Sequence, residues 1–228
     1  MENNKSTTVK EKRKEISVSL IANRNIVNKK GLSADQIADS LLRLSHIRLD
    51  RENIKCIENL DCLGPVTNLY LQWNDIKEIE NLEALTKLKF LMLAENKITK
   101  IQNLKHLDSL MFLDLSDNQI EDFNSDELPN SLIILNLSGN PCVSVNDYRS
   151  KVLRSLHKLE QLDGKNITKQ QRKECGCVVV ESESDSEEEE HELMGEEEQG
   201  DDYPGTGTGA LNQHGNDILV RAKIRTMK

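Results

Sequence analysis

A 22-residue period through the middle of this chain restricts its possible folds more than any other feature. Leu44, Val66, Leu88, Leu110 and Leu132 open five units of equal length. Each continues with an apolar residue three places on and a leucine five places on: Ile47/Leu49, Leu69/Leu71, Leu91/Leu93, Leu113/Leu115 and Leu135/Leu137. Eight places after each opening residue stand Glu52, Asn74, Asn96, Asn118 and Asn140. Self-similarity at a period of ~20–29 residues marks a solenoid, in which each unit supplies one short strand and a return. About seven buried apolar side chains per unit, at roughly 1.5–3 kcal/mol each, oppose an ordering cost of about 1–2 kcal/mol per residue. A lone unit therefore does not fold, and stability requires stacking.

Alternation about the second leucine, as in Asn68-Leu69-Tyr70-Leu71-Gln72, gives a short strand with one buried face. Stacking the units turns the following asparagines into a ladder whose amides satisfy backbone groups at the turn. The Ile76, Ile79, Leu82, Leu85 and Ile98, Ile101, Leu104, Leu107 series have a spacing of three, which predicts a 3₁₀-like or short helical return. In the fourth unit Phe123 takes an isoleucine place, Asp126 stands where leucine is expected, and Pro129 precludes a regular helix. A loop or bent return is expected there.

Solenoid ends expose apolar edges and need caps. Ser33-Ala34-Asp35-Gln36 reads as a capping box leading into an amphipathic helix through Leu41, Leu42 and Leu44. Val18-Ser19-Leu20-Ile21 is read as a preceding edge strand. At the other end, Asp147-Tyr148-Arg149 leads into Val152, Leu153, Leu156, Leu159 and Leu162, one apolar helical face with Gly164 as its stop.

Composition separates this domain from its tail. The formal charge of −9 resides in Glu181 to Asp202, where 13 acidic residues occur without a Lys or Arg; the rest of the chain is weakly basic. That run is expected to be disordered by its charge density. The expected organisation is a disordered 1–15, an N-terminal cap at 16–43, five repeats at 44–142, a C-terminal cap at 143–165 and a mostly disordered acidic tail at 166–228. No apolar run approaches the ~20 residues that span a bilayer, and the first residues carry no charged-then-apolar leader. Five cysteines at irregular places make no disulfide framework. These readings point to a reducing compartment, with no membrane partner.

The repeat block resembles the 22-residue intracellular class of leucine-rich repeats, with Glu58-Asn59-Leu60, Glu80-Asn81-Leu82 and Gln102-Asn103-Leu104 at corresponding places. The stretch from Tyr148 to Gly164 resembles the C-terminal cap of that class. The expected fold is thus α/β: a right-handed leucine-rich-repeat solenoid with a parallel concave sheet, helical N- and C-terminal caps and a disordered acidic C-terminal tail. More narrowly, three strings resemble the leucine-rich-repeat-containing protein 46 family. They are Leu20-Ile21-Ala22-Asn23-Arg24-Asn25-Ile26, Ile47-Arg48-Leu49-Asp50-Arg51-Glu52, and the run from Asp126 through Asn140. That resemblance implies a place in motile cilia and the sperm flagellum.

Residues flanking the buried leucines face the concave surface, because strand side chains alternate. The columns are His46, Asn68, Phe90, Phe112, Ile134; then Arg48, Tyr70, Met92, Asp114, Asn136; then Asp50, Gln72, Ala94, Ser116, Ser138. Three of only seven aromatic residues fall in them, and Trp73 lies just beyond one. Tyr70, Trp73, Phe90, Met92, Phe112 and Ile134 are therefore expected to form an apolar-aromatic patch for a protein partner. Arg48, Asp50, Asp114 and Asp117 would form its polar rim. The competing reading makes these ordinary strand residues favoured by β-propensity. The mixed signs of the rim argue against nucleic acid.

Ser182, Ser184 and Ser186, each with an acidic residue three places on, are candidate phosphorylation sites. Cys175-Gly176-Cys177 supplies two of the four ligands that zinc needs, so no metal site is expected. No phosphate loop, nucleophile elbow or metalloprotease motif occurs, and neither catalysis nor a cofactor is expected. The functional expectation is a non-enzymatic adaptor in the cytoplasm and axoneme, monomeric within a larger assembly. The alternative is a likeness to the acidic nuclear leucine-rich phosphoproteins, which bind histones and regulate phosphatases.

Overall fold

The structure, a computed structural model, describes residues 15–177. The acidic run and the three candidate phosphorylation serines lie outside that range. Five three-residue strands recur at the expected interval: β1 (His46–Arg48), β2 (Asn68–Tyr70), β3 (Phe90–Met92), β4 (Phe112–Asp114) and β5 (Ile134–Asn136). They pair in parallel with residues exactly one period apart side by side, so Ile47, Leu69, Leu91, Leu113 and Leu135 form one buried file. Each strand has its central side chain fully buried against the leucines and isoleucines of the return.

The asparagine ladder forms. The Asn96 amide donates to the carbonyls of Leu71 and Leu93 at 3.0 Å each, while its Oδ1 accepts from the Ile76 N–H at 3.0 Å. Asn74, Asn118 and Asn140 repeat this pattern. A second ladder runs along the returns, where Asn59, Asn81 and Asn103 donate to the carbonyls of Ile16, Ile57 and Ile79 at 2.7 Å each. All three have positive φ, near 57°, a conformation Asn tolerates better than most residues.

Ile16, fully buried, thus occupies the place that an isoleucine of an earlier repeat would fill. Val18-Ser19-Leu20-Ile21 is not an edge strand. It opens helix α1 (Val18–Asn25), with the Ser17 hydroxyl accepting from the Leu20 N–H. The helix wins because Ile21 and Ala22 then share one buried face, and because its last residue covers the open edge of β1. Asn25 Oδ1 accepts from the Arg48 N–H at 2.7 Å, and its amide donates to the Arg48 carbonyl at 3.3 Å, as a neighbouring strand would. Arg24 reaches Glu52 at 3.0 Å, which explains a carboxylate where every later unit has asparagine. With no earlier strand to serve, this rung receives a cation from the cap.

Helix α2 (Ala34–Leu42) carries the expected Ser33/Gln36 capping box. It ends at Leu42, so Leu44 lies beyond it. Gly64 lets that end approach: a Cβ there would sit 2.0 Å from the Leu42 carbonyl oxygen. Gly64→Ala is expected to lower stability by about 1–3 kcal/mol through this overpacking, read as a reduced urea midpoint. An unchanged midpoint would mean that α2 does not bear on the first repeat.

The returns of the second and third units contain no continuous helix; of the two forms expected, the 3₁₀-like one is closer. They run extended and then make successive turns, with Leu85 N–H donating to Leu82 and Leu88 N–H to Leu85. Spacing of three here serves separate turns. In the fourth unit, a 3₁₀ turn at Ser125–Glu127 replaces them, and Leu128 fills the core in place of the leucine missing at Asp126.

The C-terminal cap also differs in detail. Helix α3 (Tyr148–Ser155) stops before Leu159 and Leu162. Leu162 belongs to β6 (Gln161–Leu162), parallel to β5, which turns back into β7 (Lys165–Asn166). Asp163 and Gly164 both have positive φ, so Gly164 serves a tight hairpin and not a helix stop. Asp163 pins the cap to the last repeat: it accepts from the Leu137 N–H at 2.7 Å and from the Tyr148 hydroxyl at 3.0 Å. Folded structure continues past residue 165 into α4 (Lys169–Glu174), which has a Thr168/Gln171 capping box. From α4, Arg172 donates to the carbonyls of Leu153, Leu156 and Leu159, covering the end of α3.

Candidate interaction face

The strand register brings the sequence-predicted face together. Phe90, Phe112 and Ile134 lie side by side in one column, and Tyr70 and Met92 are neighbours in the next. All five are half-buried, flanked by buried leucines that face the opposite way. The Phe90 and Phe112 rings stand 6.0 Å apart, tilted by 35°. The Arg48 guanidinium lies over the Tyr70 ring at 5.5 Å. Of the remaining described aromatics, Phe123 and Tyr148 pack edge-on against each other at 6.2 Å in the core.

Trp73 stands apart from these columns, beyond the end of β2. It is 36% exposed, with Arg51 stacked 4.2 Å from its ring. Its φ of 57° belongs to a repeating feature: Arg51, Glu95, Asp117 and Gly139 share the left-handed conformation at the same place in their units. A bulky side chain there is strained, and the ladder geometry imposes it. Gly139 is the only glycine of this file, and a Cβ on it would meet the Asp117 side chain at 2.2 Å.

The polar rim is less free than the sequence suggests. Asp50 is 7% exposed and is bonded to Arg48 at 3.1 Å. Asp114 is 8% exposed and accepts from both the N–H and the hydroxyl of Ser116, at 3.0 and 2.7 Å. Arg48 and Asp117 remain exposed. Gln72 of the third column is buried, and its Oε1 has no hydrogen-bond partner among the described residues. The sequence shows its place in that column but not its lack of a donor.

Burial pushes the Asp114 carboxyl above the usual range, opposed by the Ser116 hydrogen bonds. The raised value means that the folded state holds this proton more tightly than the unfolded state. The resulting stability is fully present below the unfolded value and is lost as pH rises through the folded one. Asn136 makes the same two bonds to Ser138 without a charge. Asp114→Asn is therefore expected to raise the urea midpoint at neutral pH and to flatten its fall as pH rises through the carboxylate range. A lower midpoint at neutral pH would show that the ionised group is stabilising.

Among the described residues, no three His, Cys, Asp or Glu side chains are grouped to hold a metal ion. No helix among them is long and apolar enough to cross a membrane. The Cys142 thiol is buried and pushed up to about 11, mainly by desolvation, which removes its nucleophilic form. What the face offers chemically is apolar area with a charged border.

The family model described as leucine-rich repeat matches residues 20–187. No curated protein sequence matches the chain significantly. Among solved structures, the Drosophila melanogaster SNF/U2A' complex contains a chain similar at 23% identity, over 71% of this chain and 90% of that one, with a TM-score of 0.57. An internalin (InlF) of Listeria monocytogenes is 24% identical over 63% of this chain and 40% of that one, with a TM-score of 0.49.

Proposed function

We propose, from the premise that this chain belongs to the leucine-rich repeat family, that it is a non-enzymatic adaptor capturing a protein partner on its concave face. The observation that carries this reading is the register: it gathers Tyr70, Phe90, Met92, Phe112 and Ile134 into one half-exposed apolar surface. The chain has only seven aromatic residues, and surfaces of this kind mark interaction sites. The adaptor acts as a monomer within a larger assembly, which we take to be an axoneme of motile cilia or the sperm flagellum. That finer assignment rests on the resemblance to the leucine-rich-repeat-containing protein 46 family.

A photo-reactive amino acid placed at Tyr70, and separately at the exposed Lys105 of a return, tests this in multiciliated cells. Axonemal proteins are expected to cross-link at Tyr70 and not at Lys105. Equal labelling at both places, or labelling of non-axonemal proteins alone, would contradict the reading. Truncation after Cys177 keeps Arg172 and the whole described cap, and should leave the cross-link intact. Its loss would instead make the acidic tail the active element, as in a histone binder.

A further inference from the structure

Three observations constrain the partner beyond its being a protein. First, the sheet offers no long free edge. Asn25 occupies the edge of β1, and at the far end β7 is two residues long, with its Asn166 carbonyl bonded to Arg149. Strand addition is therefore unfavourable, since it requires a row of open backbone groups.

Second, the floor of the face is side chain, not backbone. Peptide groups of β1–β5 are engaged in the ladders, and the patch between them is apolar. An extended segment laid across it would leave its own N–H and C=O groups buried without partners. A helix satisfies those groups internally. Three interstrand steps from β2 to β5 span about 14 Å at ~4.8 Å each. Three-residue strands are about 10 Å long, close to the ~10–12 Å width of a helix with its side chains.

Third, charge is divided between the ends. Arg48 and Arg51 are exposed at the first repeat, where the Asp50 carboxylate that pairs with Arg48 is buried, whereas Asp117 is exposed beside the buried Asp114 at the fourth. Glu95 lies between them in the file that holds Asp117.

We propose that the face takes a single amphipathic α-helix of the partner, lying along the stacking direction with its first turn over β1 and its apolar stretch across β2–β5. Its acidic first turn sits over Arg48, and its basic last turn sits over Asp114 and Asp117. Acidic first turns and basic last turns are what helices favour on their own account, so the required polarity adds no strain to the ligand. Apolar residues at i, i+3, i+4 and i+7 meet Tyr70, Phe90, Met92, Phe112 and Ile134. This inference rests on the concave-face reading above and deepens it.

The test displays two libraries on phage and selects both on the immobilised full chain. One contains helix-stabilised peptides of about 14 residues, or ~20 Å; the other contains linear random peptides of the same length. Enriched binders are expected from the helical library, with the stated apolar spacing, acid at the start and base at the end. Asp117→Lys should weaken them about tenfold, and exchanging the last-turn basic residues for glutamate should restore binding. Extended winners that fail on Phe90→Ala, Phe112→Ala protein overturn the helix and leave the face standing. Helical winners of reversed or no polarity, winners indifferent to Asp117→Lys, or no enrichment from either library also overturn it. Winners indifferent to the loss of both phenylalanines overturn the face as well.

Discussion

Asn118→Ala should lower the stability of the domain by about 3 kcal/mol, because an orphaned buried polar group costs ~1–3 kcal/mol and further hydrogen bonds are lost with it. Asn118 Oδ1 is the acceptor for the Ile98 N–H at 3.0 Å. Its amide donates to the carbonyls of Leu93, Leu115 and Ser116 at 2.9, 3.0 and 3.1 Å. Alanine leaves the Ile98 N–H buried without its side-chain partner. Leu93 and Leu115 carbonyls keep a bond from Asn96 and Asn140, which holds the loss below a simple sum. The position is also interior to the stack, in the fourth of five units. Repeat arrays are held together by nearest-neighbour interfaces, so the damage should appear as a lower urea midpoint with a broadened transition. Asn124→Ala removes one exposed cap bond to Asp126 and should cost no more than about 1 kcal/mol. Equal effects from the two substitutions would contradict the ladder's role.

The second large effect concerns binding. Phe90→Ala with Phe112→Ala should reduce affinity for the cross-linked partner by at least about 100-fold, since central aromatic anchors contribute ~2 kcal/mol or more each and 1.4 kcal/mol is tenfold. Both rings are half-buried and stand 6.0 Å apart on the face, whereas the buried file behind them, Leu91 and Leu113, keeps its side chains. The folding penalty should therefore stay well below that of Asn118→Ala. The two variants form a crossed pair: one keeps the binding chemistry and loses stability, and the other keeps stability and loses binding. If the phenylalanine variant unfolds as readily as the asparagine variant, the rings belong to the core and the patch is structural.

What the sequence reveals depends on whether a residue's role repeats. The leucine file, the asparagine ladder and the concave columns recur every 22 residues, and the structure places each where the period requires it. Roles set by one-off contacts are not legible this way. Val18-Ser19-Leu20-Ile21 alternates like a strand, yet the exposed edge of β1 and the Ser17 cap make it helical. Leu162 keeps helical spacing with Leu159 and Leu156, yet pairing with β5 draws it into the sheet. The spacing of three on the returns fits a short helix and a series of i→i+3 turns alike, and the chain takes the turns. Asp50 and Asp114 look like free rim charges until their neighbours Arg48 and Ser116 are seen to hold them. The left-handed file through Trp73 and Asp117 leaves no residue signature, because Arg, Trp, Glu, Asp and Gly all occupy it.

Trp73 is the single tryptophan of the chain, 36% exposed and three residues beyond Tyr70 at the end of β2. Its fluorescence therefore reports on the surroundings of this one position beside the face, without labelling. Titrating the full chain with the partner cross-linked at Tyr70 should shift the Trp73 emission to the blue and reduce its quenching by iodide. Neither change should occur, at the same concentrations, in the Phe90→Ala, Phe112→Ala variant. A saturated complex in which Trp73 emission and quenching remain those of the free chain would place the partner elsewhere and contradict the concave-face account.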